Sequence, residues 1–145
     1  KEKVVSIRKV PLVDSEIKEY QKRRDAVNHV TVMFKKSKVL EAGNYQHALL
    51  MEDSLLWTNM ILHGATFKNI DDYLVYVRTG ADMFKRRGGL KYFKKYKNGR
   101  KIILQTGYIS KWDYYYTLLV QLIFSILPNS VREFVYEKLL RSNKE

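Results

Sequence analysis

The sequence predicts an α/β fold, and three observations carry that expectation. Through residues 1–84, segments rich in β-branched and aromatic side chains alternate with short helical patterns. Residues 85–145 change character to a basic loop followed by helices, so the two stretches are read as two regions of one domain. The 145 residues are one domain's worth of chain. Their 46% hydrophobic content, with only two prolines and seven glycines, suits a buried core and excludes a disordered tail or a flexible linker.

Residues 3–10 alternate weakly, with Val5 and Ile7 on one side and Ser6 and Arg8 on the other, and predict a strand that Pro11 ends. Asp14 is placed to cap a helix over residues 15–24, with Ile17 and Tyr20 inward and Lys18, Lys22 and Arg23 outward. Residues 29–35 alternate Val30, Val32 and Phe34 and predict a buried strand. A brief helix over 37–42 should stop at Gly43. Residues 52–63 are helical by pattern, open with two carboxylates and end at Gly64. Two short strands, 66–70 and 73–78, are expected next, followed by a flexible basic joint at Arg86, Arg87, Gly88 and Gly89.

The clearest periodicity lies between Trp112 and Leu127, where almost every residue is apolar or aromatic. After Tyr116 the only polar residues there are Thr117, Gln121 and Ser125, four apart on one narrow stripe, so something must cover such a helix. Its apolar run of about 15 residues is shorter than the roughly 20 that cross a bilayer. Ser130 and Glu133 have capping-box spacing. Residues 131–141 then predict an amphipathic helix, with Val131, Phe134, Val135 and Leu139 apolar and Arg132, Lys138 and Arg141 basic. The two helices suit a membrane interface, and packing on the domain itself or on another subunit is the alternative.

The net charge of +12 is uneven: +5 over residues 1–48, −3 over 49–84 and +10 over 85–145. The basic end favours anions such as phosphates or lipid headgroups. The absence of cysteine excludes a disulfide framework, thiolate catalysis, a zinc finger and an iron–sulfur site. Lys1 stands where a Met would begin a whole protein, and no apolar signal-peptide core follows it, so the chain is expected to begin partway into a longer protein.

Three motifs offer chemistry. Glu52 and Asp53 at a helix start are stabilised as anions by the backbone dipoles, which suits a general base, although such pairs commonly serve only as caps. Asn28 and His29 stand at the entry of the expected buried strand, where an imidazole reaches a phosphate or hydroxyl or serves the structure alone. Arg86 and Arg87 beside two glycines form either a loop that closes over a diphosphate or a solvated charge run. His47 and His63 have no carboxylates at ligand spacing, and there is no Asp-x-Asp, no P-loop and no dinucleotide-binding glycine motif.

These motifs fall into a familiar order. The run from Arg24 through Asn28-His29-Val30-Thr31-Val32-Met33-Phe34-Lys35-Lys36-Ser37 is followed by Ala42-Gly43-Asn44-Tyr45 and by Glu52-Asp53-Ser54-Leu55-Leu56-Trp57. Gly64, Asn69-Ile70, Leu74 to Arg78 and Arg86-Arg87-Gly88-Gly89 complete the set. In that order they resemble the second, acceptor-side half of bacterial family 2 glycosyltransferases, which build capsule, lipopolysaccharide and exopolysaccharide chains. Ser54 and Leu55 depart from the family's usual acidic or aromatic residue after Glu-Asp.

The resemblance implies the C-terminal part of a GT-A, Rossmann-like α/β domain followed by amphipathic helices. It implies that Asp53 is the base that deprotonates the acceptor hydroxyl in an inverting transfer, with Glu52 supporting it. It places Asn28 and His29 on the floor of the site and Arg86 and Arg87 on the departing nucleoside diphosphate. Trp57 falls one turn after Asp53, either as a platform for a sugar ring or as core. A nucleotide-sugar donor, a divalent Mn or Mg ion held elsewhere, and a saccharide or lipid-linked acceptor are implied, at the cytoplasmic face of a bacterial plasma membrane. The Asp-x-Asp half is missing, so the chain alone is expected to be inactive and to self-associate through surface its other half would cover. The alternative is a non-catalytic basic module binding membrane or nucleic acid through residues 85–111. Charge alone supports it, because the aromatics of residues 112–116 do not alternate with basic residues as a base-stacking platform would.

Overall fold

The computed structural model describes residues 4, 7–78, 88–128 and 131. Within them the chain forms five α-helices: α1 (Asp14–Gln21), α2 (Lys36–Glu41), α3 (Glu52–Leu62), α4 (Gly89–Gln105) and α5 (Lys111–Ile126), with a 3₁₀ turn at His29–Thr31. The joint at Arg86 and Arg87, nearly all of the expected helix over 131–141 and part of the expected strand over 3–10 lie outside the described residues.

Among the described residues the chain is helical, with a single β-bridge position at Ile7 and no extended strand, so the expected α/β, Rossmann-like sheet is not seen in them. Residues 29–35 supply the reason. Thr31 turns back on Asn28, its N–H (2.9 Å) and its hydroxyl (3.0 Å) both donating to the Asn28 carbonyl. That turn breaks the alternation, leaving Val30 71% and Met33 97% exposed while Val32 packs on the core. Period-two patterning states only which side chains would share a face, and a strand also needs a neighbouring backbone for its N–H and C=O groups. Residues 66–70 have one such bond, from the Asn69 N–H to the Leu12 carbonyl at 3.1 Å.

The helical expectations fare better. α2 stops at Gly43 and α3 at Gly64, both in the left-handed conformation (φ 83° and 73°) that glycine adopts without steric cost. α1 begins one residue earlier than predicted, with Asp14 inside its first turn rather than capping it. There the Asp14 carboxylate accepts the Phe67 N–H at 2.7 Å and pairs with Lys18 at 2.6 Å, tying the chain after α3 to the start of α1. Asn69 makes the second tie, its side-chain N–H₂ donating to the carbonyls of Pro11 (2.6 Å) and Ala26 (3.0 Å). Asn69→Ala leaves both carbonyls short of a donor and is expected to cost about 1–3 kcal/mol. Urea unfolding checks this, and an unchanged midpoint would remove Asn69 as a clamp.

α3 is the central element. Ser54, Leu55, Leu56, Trp57, Thr58 and Met60 are all buried on it. Leu56, Trp57 and Met60 join Ile17, Ala26, Val27, Val39 and Ala42 in one apolar cluster. Leu55 faces a second cluster with Ala48, Ile103, Ile109, Tyr114 and Leu118. Each large side chain enclosed this way contributes about 1.5–3 kcal/mol of burial, so α3 holds its position from both sides.

α4 and α5 form an antiparallel hairpin, with Ile103 and Tyr114 in one apolar cluster, against which Tyr96 packs, and the Thr117 hydroxyl donating to the Tyr114 carbonyl at 2.9 Å. Ser110 and Asp113 form a capping box at the start of α5, and Asp113 also accepts from Arg23 at 2.7 Å. The polar stripe of α5 is the side that turns inward: Asp113, Thr117 and Ser125 are buried. The apolar side turns outward, with Trp112 70%, Leu119 59% and Ile126 68% exposed.

Candidate active site

The site is built where α3 begins. Leu49 and Leu50 precede it in the left-handed region (φ 48° and 79°), a costly conformation for a side chain with a Cβ. They turn the chain so that Glu52 and Asp53 occupy the first turn of the helix, both half-buried. The Asp53 carboxylate accepts the Ser54 N–H at 2.9 Å.

Asp53 is not simply held as an anion by the helix dipole, as its position suggested. Burial pushes its carboxyl above the usual carboxylate range, and the nearby Asp25 charge adds to the effect. Its backbone bond and the neighbouring His29 oppose the shift without cancelling it. The result is a carboxylate with increased affinity for a proton, which a general base requires.

Asp25 reaches the site from the loop after α1. Its carboxylate accepts from the Gln21 side-chain amide at 2.8 Å and from the Ser54 hydroxyl. The same buried Gln21 accepts the Ala26 N–H at 2.8 Å, so one amide holds the loop at two points. The buried Arg100 guanidinium donates to the Lys22 carbonyl at 2.7 Å and is attracted to Asp25 and Asp113, while burial pulls its proton affinity down. Asp25 thus stands near enough to Asp53 for its charge to act on that carboxyl.

His29 is exposed, and its Nε2 shares a 2.8 Å hydrogen bond with the Tyr45 hydroxyl. Its ring meets Trp57 edge-on at 5.9 Å between centroids. Trp57 itself is fully enclosed, also against Phe34 at 6.2 Å, so its ring is core and supports His29 from beneath rather than presenting a face to a sugar. Asn28, half-buried, precedes the 3₁₀ turn that carries His29.

Of the predicted residues, Glu52 and Asp53 share the first turn of α3, His29 rests on Trp57 of the same helix, and Asn28 precedes His29 in the chain. Arg86 and Arg87 lie outside the described residues. Asp25 and Tyr45 join the candidate site without having been singled out in the sequence, and Ser54, noted there only as a departure from the family's pattern, binds Asp25. Asp25 and Ser54 stand 29 positions apart, and no local spacing announces their contact. Among the described residues, no three His, Cys, Asp or Glu side chains come together as a metal site.

Three bacterial glycosyltransferases are similar to this chain. A glycosyltransferase of amylovoran biosynthesis from Erwinia amylovora is 35% identical over 135 residues, 91% of this chain and 50% of its own. A UDP-Gal:α-D-GlcNAc-diphosphoundecaprenol β-1,3-galactosyltransferase from Escherichia coli is 34% identical over 135 residues, 93% of this chain and 49% of its own. The resemblance to bacterial glycosyltransferases holds. A Haemophilus influenzae glycosyltransferase extends it at 31% identity over 138 residues, 95% of this chain and 51% of its own. The chain spans about half the length of the glycosyltransferases it matches. No protein-family model matches it, and no solved structure does.

Proposed function

We propose that this chain is the acceptor-side part of an inverting family 2 glycosyltransferase of GT-A fold. Its donor is a nucleotide-sugar and its acceptor a hydroxyl on a polysaccharide or lipid-linked saccharide, in cell-surface polysaccharide synthesis. The observation that carries the reading is the half-buried Asp53 carboxyl, raised in proton affinity at the start of α3 and set beside His29. The Escherichia coli relative, named for a UDP-sugar donor and a diphosphoundecaprenol-linked acceptor, supports this class of partner.

Asp53 takes the proton from the acceptor hydroxyl as its oxygen attacks the anomeric carbon. The bond from that carbon to the nucleoside diphosphate breaks on the opposite face, so the configuration inverts. Glu52 supports Asp53 from the same first turn of α3. Asn28 and His29 offer hydrogen bonds to the acceptor, with Tyr45 and Trp57 fixing the imidazole. Arg86 and Arg87 neutralise the leaving diphosphate. A divalent Mn or Mg ion would shield that diphosphate in the complete enzyme. The described residues assemble no ligand set for it, so the steps assigned to this chain are proton transfer and orientation. The enzyme works peripherally at the inner face of the plasma membrane, and this chain by itself is inactive.

The test is sugar transfer by the full-length enzyme carrying Asp53→Asn. The turnover should fall by a factor of about 10² to 10⁴ with donor affinity retained. Turnover within a few-fold of wild type would take Asp53 out of the mechanism.

A further inference from the structure

We propose that the outer face of α5, together with the lysines of α4, is a docking surface for an anionic lipid bilayer. The inference rests on the proposed function for the presence of a membrane, and on the structure for which residues meet it.

The polarity of α5 is the first observation. Its polar side is used up inside the protein, where Asp113 is paired with Arg23, the Thr117 hydroxyl donates to the Tyr114 carbonyl, and the Gln121 amide donates to Ser125. Trp112, Tyr116, Leu119, Ile123 and Ile126 then run along the outside at alternating spacings of four and three, with Tyr115 and Val120 flanking them, all exposed. A stripe of this length is an interaction surface rather than scattered surface apolarity.

The order of residues along the stripe is the second. The aromatics Trp112, Tyr115 and Tyr116 occupy the start of the helix and the aliphatics Leu119, Val120, Ile123 and Ile126 the rest. Trp and Tyr favour the headgroup level of a bilayer and aliphatic side chains favour the hydrocarbon below it. The helix therefore enters at a slant, with its C-terminal end deeper. Among the described residues no helix is long and apolar enough to cross a membrane, so α5 rests in the interface.

Charge selects the occupant. Residues 88–128 contain seven basic residues and one acidic residue, Asp113, which is buried and paired. Lys91, Lys94, Lys95, Lys97 and Lys101 are all exposed on α4. A second copy docking face to face would set one lysine-rich hairpin against another, a repulsive arrangement. An anionic lipid surface attracts the exposed lysines of α4 and accepts the apolar stripe of α5.

Flotation of the full-length enzyme with phosphatidylglycerol and with phosphatidylcholine vesicles tests the assignment. The enzyme should bind the anionic vesicles and be partly released by salt. Trp112 fluorescence should shift to the blue on binding, and Trp112→Phe should remove the shift, since Trp57 is already enclosed. Leu119→Gln with Ile123→Gln should weaken binding at least about tenfold, and Lys94→Gln with Lys95→Gln about tenfold or more. Helix content by circular dichroism should be unchanged in both. The proposal is overturned if wild type ignores anionic vesicles, or if both double variants bind as wild type. It is also overturned if only Lys138→Glu with Arg141→Glu abolishes binding, or if the Leu119/Ile123 variant dissolves a dimer without changing vesicle binding. None of these outcomes involves Asp53, and transfer to a water-soluble acceptor by the full-length enzyme reads the catalytic proposal separately.

Discussion

Asp53→Asn is expected to separate activity from stability: sugar transfer collapses while the folded chain is at least as stable as wild type at neutral pH. The sign follows from the proton affinity of the buried carboxyl. In the unfolded chain Asp53 titrates in the ordinary carboxylate range. In the folded chain burial, and then the Asp25 charge, raise that range. Between the two the folded state holds more protons than the unfolded one, so stability falls as pH rises through the window and stays reduced above it. An asparagine carries no charge to dehydrate and nothing for Asp25 to repel. The melting temperature of the variant should therefore equal or exceed that of wild type at pH 7, with the difference shrinking on acidification as Asp53 takes up its proton.

Asp14 and Asp113 run the opposite way. Lys18 and the Phe67 N–H hold Asp14 below its usual range. Burial raises Asp113, but the bonds from Ser110 and Arg23 outweigh it and leave it lowered. Their contribution is present above the ordinary carboxylate range and lost as pH falls through the lowered values, and it is common to both proteins, so it cancels in the comparison. If Asp53 were only a helix cap, its replacement would forfeit a dipole attraction of about 0.3–1 kcal/mol. The melting temperature would then drop at pH 7 with transfer intact. The two measurements together decide between the roles.

The same contrast between local and distant causes explains what the sequence made legible. α2, α3 and α5 follow from periodicity within one segment, and Gly43 and Gly64 end the first two because a left-handed residue is needed at that point. The expected strands over residues 29–35, 66–70 and 73–78 do not form because a strand is a relation between two segments. In residues 29–31 the Asn28 carbonyl finds its donors locally in Thr31 instead. The stripe of Thr117, Gln121 and Ser125 was visible in the sequence, but its inward direction depends on packing against α4 and on Arg23 in the loop after α1. The site divides likewise. Asn28, His29, Glu52 and Asp53 stand in recognisable strings, whereas Asp25 enters through Gln21 and Ser54, and Trp57 becomes a support for His29 only once α3 is enclosed on both sides.

Gly99→Ala should destabilise the chain by about 1–3 kcal/mol, although alanine in the middle of an exposed helix usually stabilises by roughly 0.5–1 kcal/mol relative to glycine. Gly99 lies buried in α4 where that helix crosses the segment leading into α3. A Cβ there would stand 2.5 Å from the Ala48 carbonyl oxygen and 2.7 Å from Met51 Cγ. The methionine side chain can move aside, but the carbonyl belongs to the backbone and already accepts the Met51 N–H at 3.2 Å. Shifting it would drag Leu49 and Leu50, whose left-handed backbone leaves few other conformations open. Because this segment aims the first turn of α3, the displacement also reaches Asp53. Urea unfolding should show the loss of stability, and turnover by the full-length enzyme should fall with substrate affinity less affected, since a misaimed base harms the chemical step first. A variant as stable and as active as wild type would mean that α4 does not set the position of the base.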